Sequence, residues 1–154
     1  MKRILLTLAA LGTALTMQAK VVLPGIFGDN MVLQQQSEAQ FWGKAAPGKK
    51  VTIRPSWSTQ GITANVGKDG RWRAAVPTPE AGGPYTIELS DGERLTLRDV
   101  LIGEVWLLGG QSNMAFPMSQ TDNAQAEIAA ADHPMIRYFA TYCLLYTSDA
   151  ADDK

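Results

Sequence analysis

Gly103-Glu104-Val105-Trp106-Leu107-Leu108-Gly109-Gly110-Gln111-Ser112-Asn113-Met114 reads as a short buried strand that runs out into a tight turn. Residues 105–108 form an unbroken apolar run, the pattern of a strand covered on both faces. Gly109 and Gly110 then let the backbone turn sharply and let a second group approach it closely. Ser112 follows the strand's C-terminal end, where open α/β sheets place their ligands. A serine there is a candidate nucleophile, its hydroxyl lifted out of the sheet and its own N–H free to hold an oxyanion. Gly110-Gln111-Ser112-Asn113-Met114 matches the first half of a G-x-S-x-G elbow, but Met114 stands where the second glycine belongs, unlike an ordinary α/β-hydrolase.

Downstream, Pro117 prevents an uninterrupted helix through the turn. Asp122 with Gln125 resembles a capping box, and residues 123–131 are Ala-rich with good helix propensity. Asp132-His133-Pro134 ends that helix, and residues 135–139 read as a second buried strand. Strand, turn, helix, strand is the opening β-α-β unit of a doubly wound sheet. An alkyl hydroxyl needs a neighbouring base, usually a histidine oriented by a carboxylate. The single histidine is His133. A nine-residue helix carries the chain about 13 Å, away from the strand's C-terminal edge. His133 is therefore read as a helix-terminus residue, where its charge also suits the dipole, and not as the base.

Upstream, residues 21–100 read as short strands between turn signals. Val51 and Ile53 alternate with polar neighbours, as do Ile62, Ala64 and Val66, and Trp72, Ala74 and Val76. Tyr85, Ile87 and Leu89 share one strand face, and Leu95 and Leu97 another. Asp91-Gly92 predicts a two-residue type I′ hairpin, and Lys68-Asp69-Gly70 and Pro47-Gly48 mark further turns. Strands at regular spacing indicate a sandwich. Trp42, Trp57, Trp72 and Tyr85 could stack on sugar rings, although aromatics in such a pattern more often build the core. Trp57 lies in a polar loop, Pro55-Ser56-Trp57-Ser58-Thr59-Gln60-Gly61, where burial is less assured.

Met1-Lys2-Arg3 followed by the uncharged apolar residues 4–17 and a small residue at Ala19 predicts a secretory signal peptide over residues 1–19. It is too short and wrongly flanked to be a spanning helix, and no later run is long and apolar enough for one. Residues 143–154 resemble a translated transposase sequencing adapter and are set aside from the fold. With them goes the single cysteine, which removes disulfides and Cys-based metal sites from consideration. The formal net charge of −1, with both signs interspersed, gives no nucleic-acid stripe and no polybasic membrane patch.

The block around Ser112 resembles the nucleophile block of the sialate O-acetylesterase family, secreted carbohydrate esterases related to SGNH hydrolases. Leu23-Pro24-Gly25-Ile26-Phe27-Gly28-Asp29-Asn30-Met31-Val32-Leu33-Gln34-Gln35 is similar to that family's N-terminal signature. Trp42-Gly43-Lys44-Ala45-Ala46-Pro47-Gly48 is similar to its next block, and Asp122-Asn123-Ala124 and Asp132-His133-Pro134-Met135-Ile136-Arg137 to later ones. The resemblance implies an all-β sandwich module over residues 20–100 followed, over 101–142, by the first β-α-β unit of a truncated α/β (SGNH-like) domain. It implies removal of O-acetyl groups from sialic acid or related glycans through an acetyl-enzyme on Ser112, whose N–H is one oxyanion donor. Gly110, Gln111 and Asn113 would orient the turn or the substrate. The family's Asp and His partners and further oxyanion donors lie far downstream, so this stretch alone is expected to be inactive. No metal and no cofactor are required, and the location is secreted or periplasmic. An acetylxylan or other polysaccharide acetylesterase is the nearest alternative, and a carbohydrate-binding sandwich with a merely structural Ser112 is the alternative from another class.

Overall fold

A computed structural model describes residues 20–110, 114 and 116–140. Among these residues seven strands carry the fold: β1 (Val32–Gln34), β2 (Glu38–Lys44), β3 (Lys50–Pro55), β4 (Ile62–Asn65), β5 (Arg71–Pro77), β6 (Gly82–Ser90) and β7 (Arg94–Gly103). A 3₁₀ turn, Met118–Gln120, and one helix, α1 (Ala124–Ala130), follow. The strands form a five-stranded sheet in the order β1-β7-β6-β3-β4 and a separate antiparallel pair, β2-β5. Among the described strands only β1 and β7 run parallel, with Val32 opposite Leu101 and Gln34 opposite Gly103.

Period-two alternation decides which side of each strand is buried. Val51 and Ile53 on β3, Ile87 and Leu89 on β6, and Phe41 and Val76 on the β2-β5 pair are completely enclosed. They belong to a single apolar cluster that both sheets share. Each such side chain stabilises the fold by about 1.5–3 kcal/mol relative to exposure. Phe27 extends the cluster, stacking on Phe41 with ring centroids 4.8 Å apart.

Turn chemistry fixes the connections. Lys49 donates its N–H to the Ala46 carbonyl at 3.2 Å across Pro47-Gly48, and Gly48 takes φ +76°, as a type II turn requires. The β6–β7 connection differs from the expected two-residue hairpin. Ser90 pairs with Arg94, leaving three loop residues, and of these only Gly92 has a positive φ. A type I′ turn needs positive φ at both central positions, and Asp91 instead accepts the Glu93 N–H at 3.4 Å.

A bulge reshapes β7. Leu97 pairs with Ile87 but Val100 with Tyr85, so β7 holds one extra residue. Asp99 absorbs it at φ +54°, a conformation aspartate tolerates better than most. Beyond the bulge Val100, Leu101 and Ile102 are all buried, because β1 now covers this end of the strand. The division expected after residue 100 thus falls inside β7.

The expected β-α-β unit is not formed among the described residues. Residues 105–108 and 135–139 join no strand ladder, and apart from Arg137 they are exposed, with Leu107 97% accessible. A strand exists only where a neighbouring strand takes up its N–H and C=O groups, and no described strand lies alongside here. The helix is present but shorter than predicted, and the capping box is absent. Asn123 is the N-cap at φ 57°, with no side-chain cap bond. An effective cap needs the extended conformation to reach the next turn's N–H groups. No helix among the described residues is long and apolar enough to cross a membrane.

Candidate active site

Gly103 closes β7, and its carbonyl accepts the Gln35 N–H at 2.8 Å. The next residue, Glu104, is exposed yet firmly held. Gln35 Nε2 donates to its Oε1 at 2.6 Å and Gln34 Nε2 to its Oε2 at 3.2 Å. The two glutamine carbonyls are used as well. Gln34 Oε1 accepts the Val105 N–H at 2.9 Å, and Gln35 Oε1 accepts the Ala81 N–H at 2.9 Å. First the Gln35 and then the Gln34 hydrogen bond lowers the Glu104 pKa from its ordinary value. Thr78 steadies the same corner, donating to the Gln34 carbonyl at 2.7 Å. The chain therefore leaves the sheet toward Ser112 from a fixed point.

Past Val105 the segment is exposed through to Gly109 and Gly110. A Cβ at Gly110 would lie 2.7 Å from Met114 Cγ and 3.1 Å from its Sδ, while Gly109 faces open space. The Met114 side chain thus folds back onto Gly110, the close approach for which glycine is suited. Gln111, Ser112 and Asn113 lie outside the described residues, as do the expected signal segment and the adapter-like tail.

On the far side, His133 is exposed and lies three residues beyond the last residue of α1. Arg137 reaches back to the β7 bulge, donating through Nη2 to Asp99 Oδ1 at 3.0 Å and through Nη1 to the Asp99 carbonyl. This forked contact ties the segment after the helix to the strand that leads to the serine. Among the described residues no three or more His, Cys, Asp or Glu side chains gather as a metal site would require.

The aromatic residues divide clearly. Trp72 is 4% exposed and belongs to the core. Trp57 packs against the core, donates Nε1 to the Pro77 carbonyl at 3.0 Å and meets Tyr85 edge-on at 5.3 Å. That loop tryptophan is a packing residue. Of the β module's tryptophans the outward one is Trp42, 42% exposed. The Gln34–Gln35–Glu104 clamp and the Asp99–Arg137 tie were not foreseen from the sequence. Their signal was the paired glutamines of the N-terminal block and an arginine in an otherwise apolar run.

No protein-family model matches the chain. It is similar to the sialate O-acetylesterase of Mus musculus, 33% identical over 134 residues, covering 80% of this chain and 25% of the relative. The sialate O-acetylesterase of Homo sapiens is 33% identical over 111 residues, 66% of this chain and 21% of that protein. Among solved structures, a carbohydrate acetylesterase from Xanthomonas citri matches with a TM-score of 0.67 and 34% identity, over 73% of this chain and 26% of that one. The chain spans about a quarter of the length of the curated relatives it matches. The backbone is thus like that of a carbohydrate acetylesterase, and by its sequence the chain belongs to the sialate O-acetylesterase family.

Proposed function

We propose that this chain carries the nucleophile of a secreted carbohydrate acetylesterase acting on O-acetylated sialic acid or a related glycan. The Ser112 oxygen attacks the acetyl carbonyl, and the resulting oxyanion is held in part by the Ser112 N–H. The intermediate collapses to an acetyl-serine as the sugar oxygen leaves with a proton. Water then releases acetate and restores the hydroxyl. The serine's proton goes to a histidine oriented by a carboxylate, and neither is assigned among these residues. His133 is not given that role, on the sequence argument that the intervening helix carries the chain away from a strand's end. Residues 20–142 alone are accordingly expected to be inactive.

The observation that carries this reading is the Gly109-Gly110-Gln111-Ser112 block, within a chain one third identical to named sialate O-acetylesterases. The likeness to a carbohydrate acetylesterase not named for sialate favours a second reading of the same chemistry on another acetylated polysaccharide. In the complete enzyme residues 105–108 and 135–139 become strands of an SGNH-like sheet, and the β module forms an accessory sandwich. Fluorophosphonate labelling of the full-length protein tests the proposal. Label on Ser112, lost in Ser112→Ala, is the expected result; an unlabelled Ser112 in folded protein refutes it. Acetyl-ester turnover by residues 20–142 that disappears in Ser112→Ala would overturn the expectation of inactivity.

A further inference from the structure

The β2-β5 pair turns an unusual set of side chains outward. Trp42 stands opposite Arg73, and Lys44 opposite Arg71. All four are exposed. Two cations facing each other across a strand pair are destabilising, so their juxtaposition is not explained by the fold. Arg71 has one distant partner, Asp69, at 3.9 Å, while Lys44 and Arg73 have no carboxylate within 4.0 Å among the described residues. Together the four side chains border a groove of about 860 Å³, which Trp72 also lines.

Two of these groups are held in place before any ligand arrives. Arg73 donates Nε to Gln40 Oε1 at 2.9 Å, and its two terminal nitrogens have no hydrogen-bond partner among the described residues. A guanidinium fixed through Nε presents its fork to a carboxylate with little further ordering. The Trp42 ring is braced edge-on by Phe27, with centroids 4.7 Å apart at 77°.

We propose that the outward face of β2-β5 binds acidic sugars, the Trp42 ring stacking on the pyranose and Arg73 with Lys44 holding the carboxylate. The cations select an anion, and the fixed aromatic plane beside them selects a ring over an extended acidic peptide. The choice of a sugar rests on the carbohydrate reading given above. Such a face would keep an acidic glycan near the enzyme through parts of the chain other than the acetyl group.

Binding of de-acetylated polysialic acid to the full chain tests this without involving ester chemistry. The polymer should bind, with affinity falling as salt is raised, and neutral dextran should not. Arg73→Gln should weaken binding about tenfold and Trp42→Ala by a similar factor, while Arg94→Gln on the other sheet leaves it unchanged. Thermal midpoints establish that each variant folds. If Trp42→Ala does not, Arg73→Gln and Lys44→Gln decide the matter. Absence of polysialic acid binding, equal binding of dextran, equal weakening by Arg94→Gln, or equal binding of polyglutamate would each overturn the proposal. The last would assign the face to an acidic protein segment. Ser112 labelling is independent of all these outcomes, so failure here and failure of the esterase reading are told apart.

Discussion

Gly43→Ala should destabilise the β module by about 2–4 kcal/mol, although alanine normally improves a strand. Gly43 sits in the interior of β2 opposite Trp72. An added Cβ would press on the Val22 carbonyl oxygen and come within 3.2 Å of Trp72 Cζ2 and 3.3 Å of its Nε1. That carbonyl accepts the Lys44 N–H at 2.9 Å, and Val22 donates to the Lys44 carbonyl at 2.8 Å. Relieving the collision pulls the N-terminal segment off the edge of β2. Two backbone hydrogen bonds of about 1 kcal/mol each are at stake, and overpacking adds about 1–3 kcal/mol. Removing glycine's freedom in the unfolded chain returns about 0.5–1 kcal/mol.

At roughly 4–8 °C per kcal/mol for a domain of this size, the midpoint should fall by roughly 8–30 °C. Thermal unfolding followed by tryptophan fluorescence reads the change directly. Gly25→Ala is the matched control, because a Cβ there meets nothing within 4 Å. A midpoint for Gly43→Ala equal to or above that of the parent would refute the reasoning. It would mean that Val22 does not lie against β2 as described.

Phe41→Ala, which empties a fully enclosed position, should cost about 3–5 kcal/mol in urea unfolding; a loss under 1 kcal/mol would place the ring elsewhere. For Glu104 the folded pKa lies below its ordinary value, so its contacts contribute fully above the ordinary carboxylate range and are lost as pH falls through the folded pKa. The side-chain amide resonances of Gln34 and Gln35 should therefore hold steady at neutral pH and shift in an acid transition whose midpoint lies below that of an ordinary glutamate. In Glu104→Gln that acid transition should vanish; its persistence would assign it to another group. Arg137→Gln removes both contacts to Asp99 and should raise amide exchange across residues 132–140, whereas unchanged exchange would show that the tie holds nothing.

Strands whose inward residues are large and apolar were legible in the sequence. Val51 with Ile53, Trp72 with Ala74 and Val76, and Ile87 with Leu89 all face the core as their alternation predicts. β2 escaped that test because its inward set is Ala39, Phe41 and Gly43, with only one large side chain, while Trp42 points out. The bulge at Asp99 was equally hidden, since nothing in Arg98-Asp99-Val100 marks a left-handed residue. Residues 105–108 failed for the opposite reason. Their apolar run is plain, but pairing is a property of neighbours, and the pattern of one segment says nothing of whether they are present.

These failures explain why the candidate site is legible in residue type and not in placement. Gly110 and Ser112 announce their chemistry by themselves, but the direction in which the chain reaches them is set elsewhere. β1 runs parallel to β7 and brings Gln34 and Gln35 beside Glu104, where two amides hold one carboxylate. Parallel pairing is a long-range event that no local pattern encodes. The Gln34-Gln35 pair in the N-terminal block therefore fixes the point at which the chain leaves β7, at Glu104 and Val105. Glu104→Gln should raise amide exchange at residues 104 and 105 while leaving the thermal midpoint of the core unchanged, and a lowered midpoint would show that the clamp also supports the core.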